Sequence, residues 1–183
     1  MTGRDSAIVQ TPCDVYTADT RFTGLLHRRS GRFSDALNAP DQDMLLLHNV
    51  ESSTLGSLAP AKASVSRLVQ RDQVVVIVPN GAELSQVQPA LRVAKRPVEE
   101  FIKAPPYLIR GIVHMPPPIE ILNPSQRWLP PFIPVTSACL RYSGGDGPTV
   151  MVDAELLLLN RRFIEMLLDA VEGSGAGSRL KLV

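Results

Sequence analysis

The first half of the chain is written in short runs where apolar residues sit between polar ones. Residues 14–19 and 21–27 carry Val, Tyr, Thr and Phe, and residues 44–50 (MLLLHNV) form a brief apolar run. Residues 64–70 and 73–79 are β-branched on either side of the polar turn Gln70-Arg71-Asp72. Such side chains suit a pleated, half-buried surface, so each run predicts a strand. About four or five short strands in roughly 70 residues can hide their faces and edges only by curling into a small barrel or sandwich.

The second half poses a conflict. In AELLLLNRRFIEMLLDAV, residues 154–171, the side chains of Leu156, Leu159, Phe163, Met166 or Leu167, and Ala170 follow helical spacing among strong helix formers, as in an amphipathic helix. An internal repeat decides otherwise. Laid over one another with small gaps, TRFTGLLHR (20–28) matches YLIRGIVHM (107–115), pairing Gly24 with Gly111 and His27 with His114. FSDALN (33–38) matches PIEILN (118–123), MLLLHNV matches FIPVTSA (132–138), and LVQRDQVVVIV (68–78) matches LLNRRFIEMLL (158–168). Matches that keep the same order along the chain point to duplication. The earlier copy of the last block is too β-branched for a comfortable helix, so 154–171 is expected as two strands with a turn at Asn160-Arg161-Arg162.

The fold class expected is therefore mainly all-β: two tandem small β-barrel, Sm-like units with short helical turns. The units span 13–80 and 101–171 and are joined by a linker over 81–100 that contains Pro89 and Pro97. A loose N-terminus (1–12) and a Gly/Ser-rich flexible tail (172–183) flank them.

The repeated Leu-Asn corner has a structural explanation. Ser34 can cap a single helical turn of Asp35, Ala36 and Leu37, with Asp35 at its positive end. Leu37 then points inward, and Asn38, ahead of Ala39-Pro40, ends the turn. Pro118, Glu120, Leu122 and Asn123 are expected to build the same plug in the second copy.

Gly-x-apolar-His, the Gly-Arg-x-Ser-Asp-x-Leu-Asn loop over 31–38, an apolar strand and an Asn/Gln-Arg strand together resemble a small uncharacterised bacterial β domain family. Residues 32–38 fit it best, and 132–138 and 158–161 supply the rest from the second copy, which lacks the Ser-Asp pair. The resemblance implies a β domain and no known activity. The chain is also similar at fold level to Sm-like barrels, which place a Gly-containing bent strand before a loop ending in Asn; that similarity implies ring assembly or RNA binding.

Composition narrows the function classes. A hydrophobic content of 44% with 20% charged residues suits a chain that buries a core and argues against wholesale disorder. A net charge of +1 gives no broad attraction for nucleic acid or an anionic membrane. No window reaches the roughly 18 apolar residues of a membrane span, and the N-terminus carries charges where a signal peptide needs an apolar core, so a cytoplasmic protein without a membrane partner is expected. Cys13 and Cys139 belong to no CxxC or Cys/His cluster and read as buried or half-buried thiols.

Little catalytic chemistry is on offer. His27 and His114 occupy equivalent positions and could share a metal only if the copies packed with two-fold symmetry; no third ligand repeats, so neither metal nor cofactor is expected. His48 aligns with Thr136. There is no GxSxG, Walker loop or GxGxxG, and SGGDG (143–147) lies between strands. Asp35 and Glu120 read as capping groups rather than an acid–base pair, so an enzyme is not expected.

Basic residues gather as Arg28, Arg29 and Arg32 beside the first corner, as Arg92, Lys95 and Arg96 in the linker, and as Arg161-Arg162. They form a solvated surface or an anion or nucleic-acid site. Aromatic residues are 5% of the chain and none is interleaved in a basic strand, which leaves no stacking platform for RNA. Trp128, Leu129, Pro130, Pro131 and Phe132 form a rigid apolar stretch suited to a partner protein or to packing one unit on the other. The expectation is a non-catalytic protein-binding or assembly protein that self-associates through strand edges or this stretch. Nucleic-acid binding through the Arg28–Arg29–Arg32 cluster is the alternative, and a metal-dependent activity at His27 and His114 a second one.

Overall fold

The apolar runs become strands in the computed structural model, which describes residues 8–81, 96–115, 130–144 and 149–169. The elements are β1 (Ile8–Tyr16), β2 (Thr20–Arg29), a short helix α1 (Phe33–Leu37), β3 (Met44–Thr54), β4 (Lys62–Gln70), β5 (Val76–Pro79), β6 (Arg96–Ala104), β7 (Tyr107–Met115), β8 (Phe132–Tyr142), β9 (Met151–Asn160) and β10 (Met166–Asp169). The protein is mostly β, as expected. Its strands form one ten-stranded antiparallel sheet in the order β10-β6-β7-β8-β9-β5-β1-β2-β3-β4. Among the described residues no helix is long and apolar enough to cross a membrane.

Residues 154–169 are strand, 3-10 turn (Arg161–Phe163) and strand, not the helix that their spacing suggests. The reason lies on both sides of β9. Leu157 and Leu159 enter one apolar core while Leu158 enters the other, so consecutive leucines are buried by alternation across a strand. β5 behaves alike, with Val76 and Val78 in one core and Ile77 in the other.

The same fact corrects the expectation of closed barrels. β5 pairs with β1 on one side and with β9 on the other, through Val76↔Leu159 and Ile77↔Leu158. The sheet therefore runs through as an open one, with β10 and β4 at its ends. Strands that are apolar on both faces need a core over each face and a partner on each edge. Joining β5 to β9 supplies both, where a separate closure of each half would not.

Other boundaries shift as well. β1 begins at Ile8, paired with Arg29, so ladder bonds reach into the stretch expected to be loose. β6 begins at Arg96, inside the expected linker, of which 82–95 lies outside the described residues, as does the 172–183 tail. Helix α1 starts at Phe33 with Arg32 in the N-cap position and no side-chain cap; Ser34 Oγ donates instead to Asp35 Oδ1 at 3.3 Å. The helix starts early because Phe33 is buried, its ring 5.5 Å from the Arg28 guanidinium.

Both halves of the sheet pair their strands in the same succession and carry the same irregularity. The β2–β3 ladder skips at Gly24, which faces Asn49 and Val50, and the β7–β8 ladder skips at Gly111, which faces Ser137 and Ala138. Asn49 and Ser137 both take positive φ, 50° and 48°. These are β-bulges, two residues opposite one, which bend a strand and increase its twist. Glycine is required opposite them: a Cβ at Gly24 would stand 2.8 Å from the His48 carbonyl oxygen, and one at Gly111 2.6 Å from Val135 Cγ1.

Candidate functional site

The most specific construction in the molecule is the junction of β9 with β5. Asn160 caps it: its backbone N–H donates to Val75 O at 2.9 Å and its side-chain amide donates to Val74 O at 2.9 Å, while its Oδ1 accepts from Arg162 N. Phe132 and Leu158, from the second half, sink into the core of the first. Tyr16, Leu55, Val75, Val76 and Val78, from the first half, enter the core of the second. Asn38 locks the arrangement, with Nδ2 donating to Phe132 O at 3.0 Å and Oδ1 accepting from Phe132 N at 2.8 Å.

The outer strands have the same local wiring without the neighbour. Arg71 N donates to Asp43 O and Arg161 N to Pro131 O, both at 2.9 Å; Val75 N donates to Tyr16 O at 2.8 Å and Glu165 N to Lys103 O at 2.9 Å. Gln70 thus stands in β4 where Asn160 stands in β9, and Met166 stands in β10 where Val76 stands in β5. No strand covers the outer edge of β4 or β10 among the described residues. Both carry exposed apolar side chains, Leu68 on β4 and Met166, Leu167 and Leu168 on β10.

Beside the junction runs a groove of about 650 Å³ lined by Met44, Arg71, Phe132, Asn160, Arg161 and Arg162. Two of its cations are already opposed or employed. Arg71 donates to Ala39 O at 2.7 Å and faces Asp43 at 3.6 Å, and Arg162 faces Asp72 at 3.7 Å.

The basic cluster of the first corner is dispersed by its own hydrogen bonds. Arg28 is buried, its Nε donating to Thr11 Oγ1 and its Nη1 to Gly31 O, each at 2.8 Å. Arg29 is exposed and pairs with Asp41 at 3.4 Å, and exposed Arg32 precedes α1. Arg28 lines a separate cavity of about 140 Å³, so it does not share the Arg161-Arg162 groove.

The histidines are partnered locally. His27 Nε2 lies 2.6 Å from Gln10 Nε2, and its ring packs 4.2 Å from that of His48; the β2–β3 register, Leu25 opposite His48, brings them together. His114 Nε2 lies 3.0 Å from Thr136 Oγ1. β8, β9, β5 and β1 separate their two strands in the sheet. Among the described residues no three His, Cys, Asp or Glu side chains converge on a metal-sized site.

Of the corner residues, Leu37 is fully buried and Asp35 exposed, while Asn38 joins the two halves as well as ending its turn. Glu120, Leu122 and Asn123 lie outside the described residues, as do Trp128 and Leu129. Pro130 and Pro131 are exposed, whereas Phe132 is buried and belongs to internal packing. Burial pushes the Cys13 thiol up to about 12, helped by the charge of Asp14. Half-buried Cys139 is also raised, by burial and then by Asp153. No family model, curated protein or solved structure matches the chain.

Proposed function

We propose that this protein is a non-catalytic assembly protein whose partners are copies of itself, and that it is built from a duplicated five-stranded module. One observation carries the reading: among the described residues the sheet ends on two strands, β4 and β10, whose outer edges have no partner strand and which carry exposed apolar side chains. Such edges are templates for another strand, and proteins that stay single blunt them with charge, proline or a bulge. β10 reads Met-Leu-Leu-Asp, with neither a Lys nor a Pro and its one charge at its last position, whereas β4 carries Lys62 and Arg67. Support for duplication comes from the matched bulges at Gly24 and Gly111 and the matched turns at Arg71 and Arg161. The locally employed Arg28 works against a basic RNA-binding corner.

Light scattering across a concentration series tests the reading. The expected result is a mass above that of one chain, rising with concentration. A single-chain mass at every concentration would refute it.

A further inference from the structure

The two edges left uncovered among the described residues differ, and each is the counterpart of a strand already paired inside the chain. β4 corresponds to β9 and β10 to β5. In the internal junction Phe132, Leu158, Val76, Ile77 and Val78 are at most 4% exposed. The residues in the corresponding places at the ends, Met44, Leu68, Met166, Leu167 and Leu168, are 37–60% exposed. At these five positions the exposed set is apolar where the junction is buried, while Arg67 and Gln70 stand, exposed, where Leu157 and Asn160 are buried. Val65, also exposed on β4, lies beyond this short ladder, and its counterpart Glu155 is exposed too.

Resting on the self-association reading above, we infer that β10 of one copy docks antiparallel on β4 of the next in the register of the internal junction. Met166 then faces Val69 and Leu167 faces Leu68, as Val76 faces Leu159 and Ile77 faces Leu158. The Gln70 N–H donates to Glu165 O of the neighbour, as Asn160 N–H donates to Val75 O. Leu68 and Met44 enter the neighbour's second core by the route that Leu158 and Phe132 take into the first. The contact is heterologous: each copy offers one β4 and one β10, so copies follow head to tail and close into a ring or extend as a filament.

Two edge variants of the full chain test this. Leu68→Glu blocks β4 and leaves β10 intact; Leu167→Glu does the reverse. Both sites are exposed, and circular dichroism should match the parent. Each variant alone should run as a single chain where the parent assembles, and an equimolar mixture should give a two-chain species and nothing larger. As a second route, Leu68→Cys and Leu167→Cys proteins on a Cys139→Ser background should cross-link on oxidation when mixed, and neither should alone. If the parent assembles but either Glu variant still does so, or if Leu68→Cys cross-links to itself, the head-to-tail register is wrong while self-association stands. A parent that is a single chain at every concentration removes both.

Discussion

Asn38 ends a helical turn and, with the same amide, holds the first residue of β8 by two hydrogen bonds. Removing it leaves the N–H and C=O of Phe132 without that partner at a part-buried site. Asn38→Ala should cost about 1–3 kcal/mol in urea denaturation, and Asn38→Asp, which keeps only the acceptor, should fall between it and the parent. Cys13 makes a pH prediction. Its thiol ionises near 9.0 when free but is held protonated to about 12 when folded. Above pH 9.0 the unfolded chain alone loses that proton, so stability is intact below this pH and declines as pH rises toward about 12. Tyr16, raised by burial to about 12, adds to the decline from higher pH. Stability curves of Cys13→Ala should be shallower between these limits by up to about 1.4 kcal/mol per pH unit, whatever their offset from the cavity left behind. Equal slopes would mean that the thiol is not protected.

Among the elements, the bulged strands are the most constrained. Gly24→Ala would set a Cβ 2.8 Å from a backbone oxygen, and Gly111→Ala meets Val135 and the backbone of Ala138, so each should cost about 1–3 kcal/mol through forced backbone shifts. Opposite them the strain runs the other way. Ser137 sits at φ 48°, where a side chain costs about 1–2 kcal/mol, and Ser137→Gly should raise the melting temperature or leave it unchanged. β9 shows why pairing overrides propensity: LLLL followed by Asn-Arg-Arg favours a helix locally, yet only a strand can send Leu158 one way and its two neighbours the other. The corner at 33–38 was legible as a plugged turn, but its cap was not, since burial of Phe33 depends on where Arg28 lies.

For the whole molecule, the consequence of the junction is shared cores. Residues of the first half complete the second core, and Phe132 and Leu158 complete the first, so the halves should unfold together. Leu140→Ala empties space in the second core and should cost about 2–5 kcal/mol. If the cores are coupled, it should also speed alkylation of Cys13 in the first half; unchanged protection of Cys13 would show that the halves open independently. The same junction makes a prediction for assemblies: a contact that binds only folded chains makes the melting temperature rise with protein concentration, and Leu68→Glu should abolish that rise.

The sequence by itself determined most strands of the first half and the turn between Leu159 and Met166, because each follows from side-chain alternation or local turn chemistry; it placed the start of β6 in a linker and paired Gly24 with Gly111 without the bulges opposite them. Tertiary structure alone decided that β5 meets β9, that the sheet stays open, and that Arg28 is spent within its own half. The physical reason is that a strand's edge offers the same N–H and C=O groups whatever its side chains. Letters specify which face is apolar; only packing on both faces at once selects the neighbour.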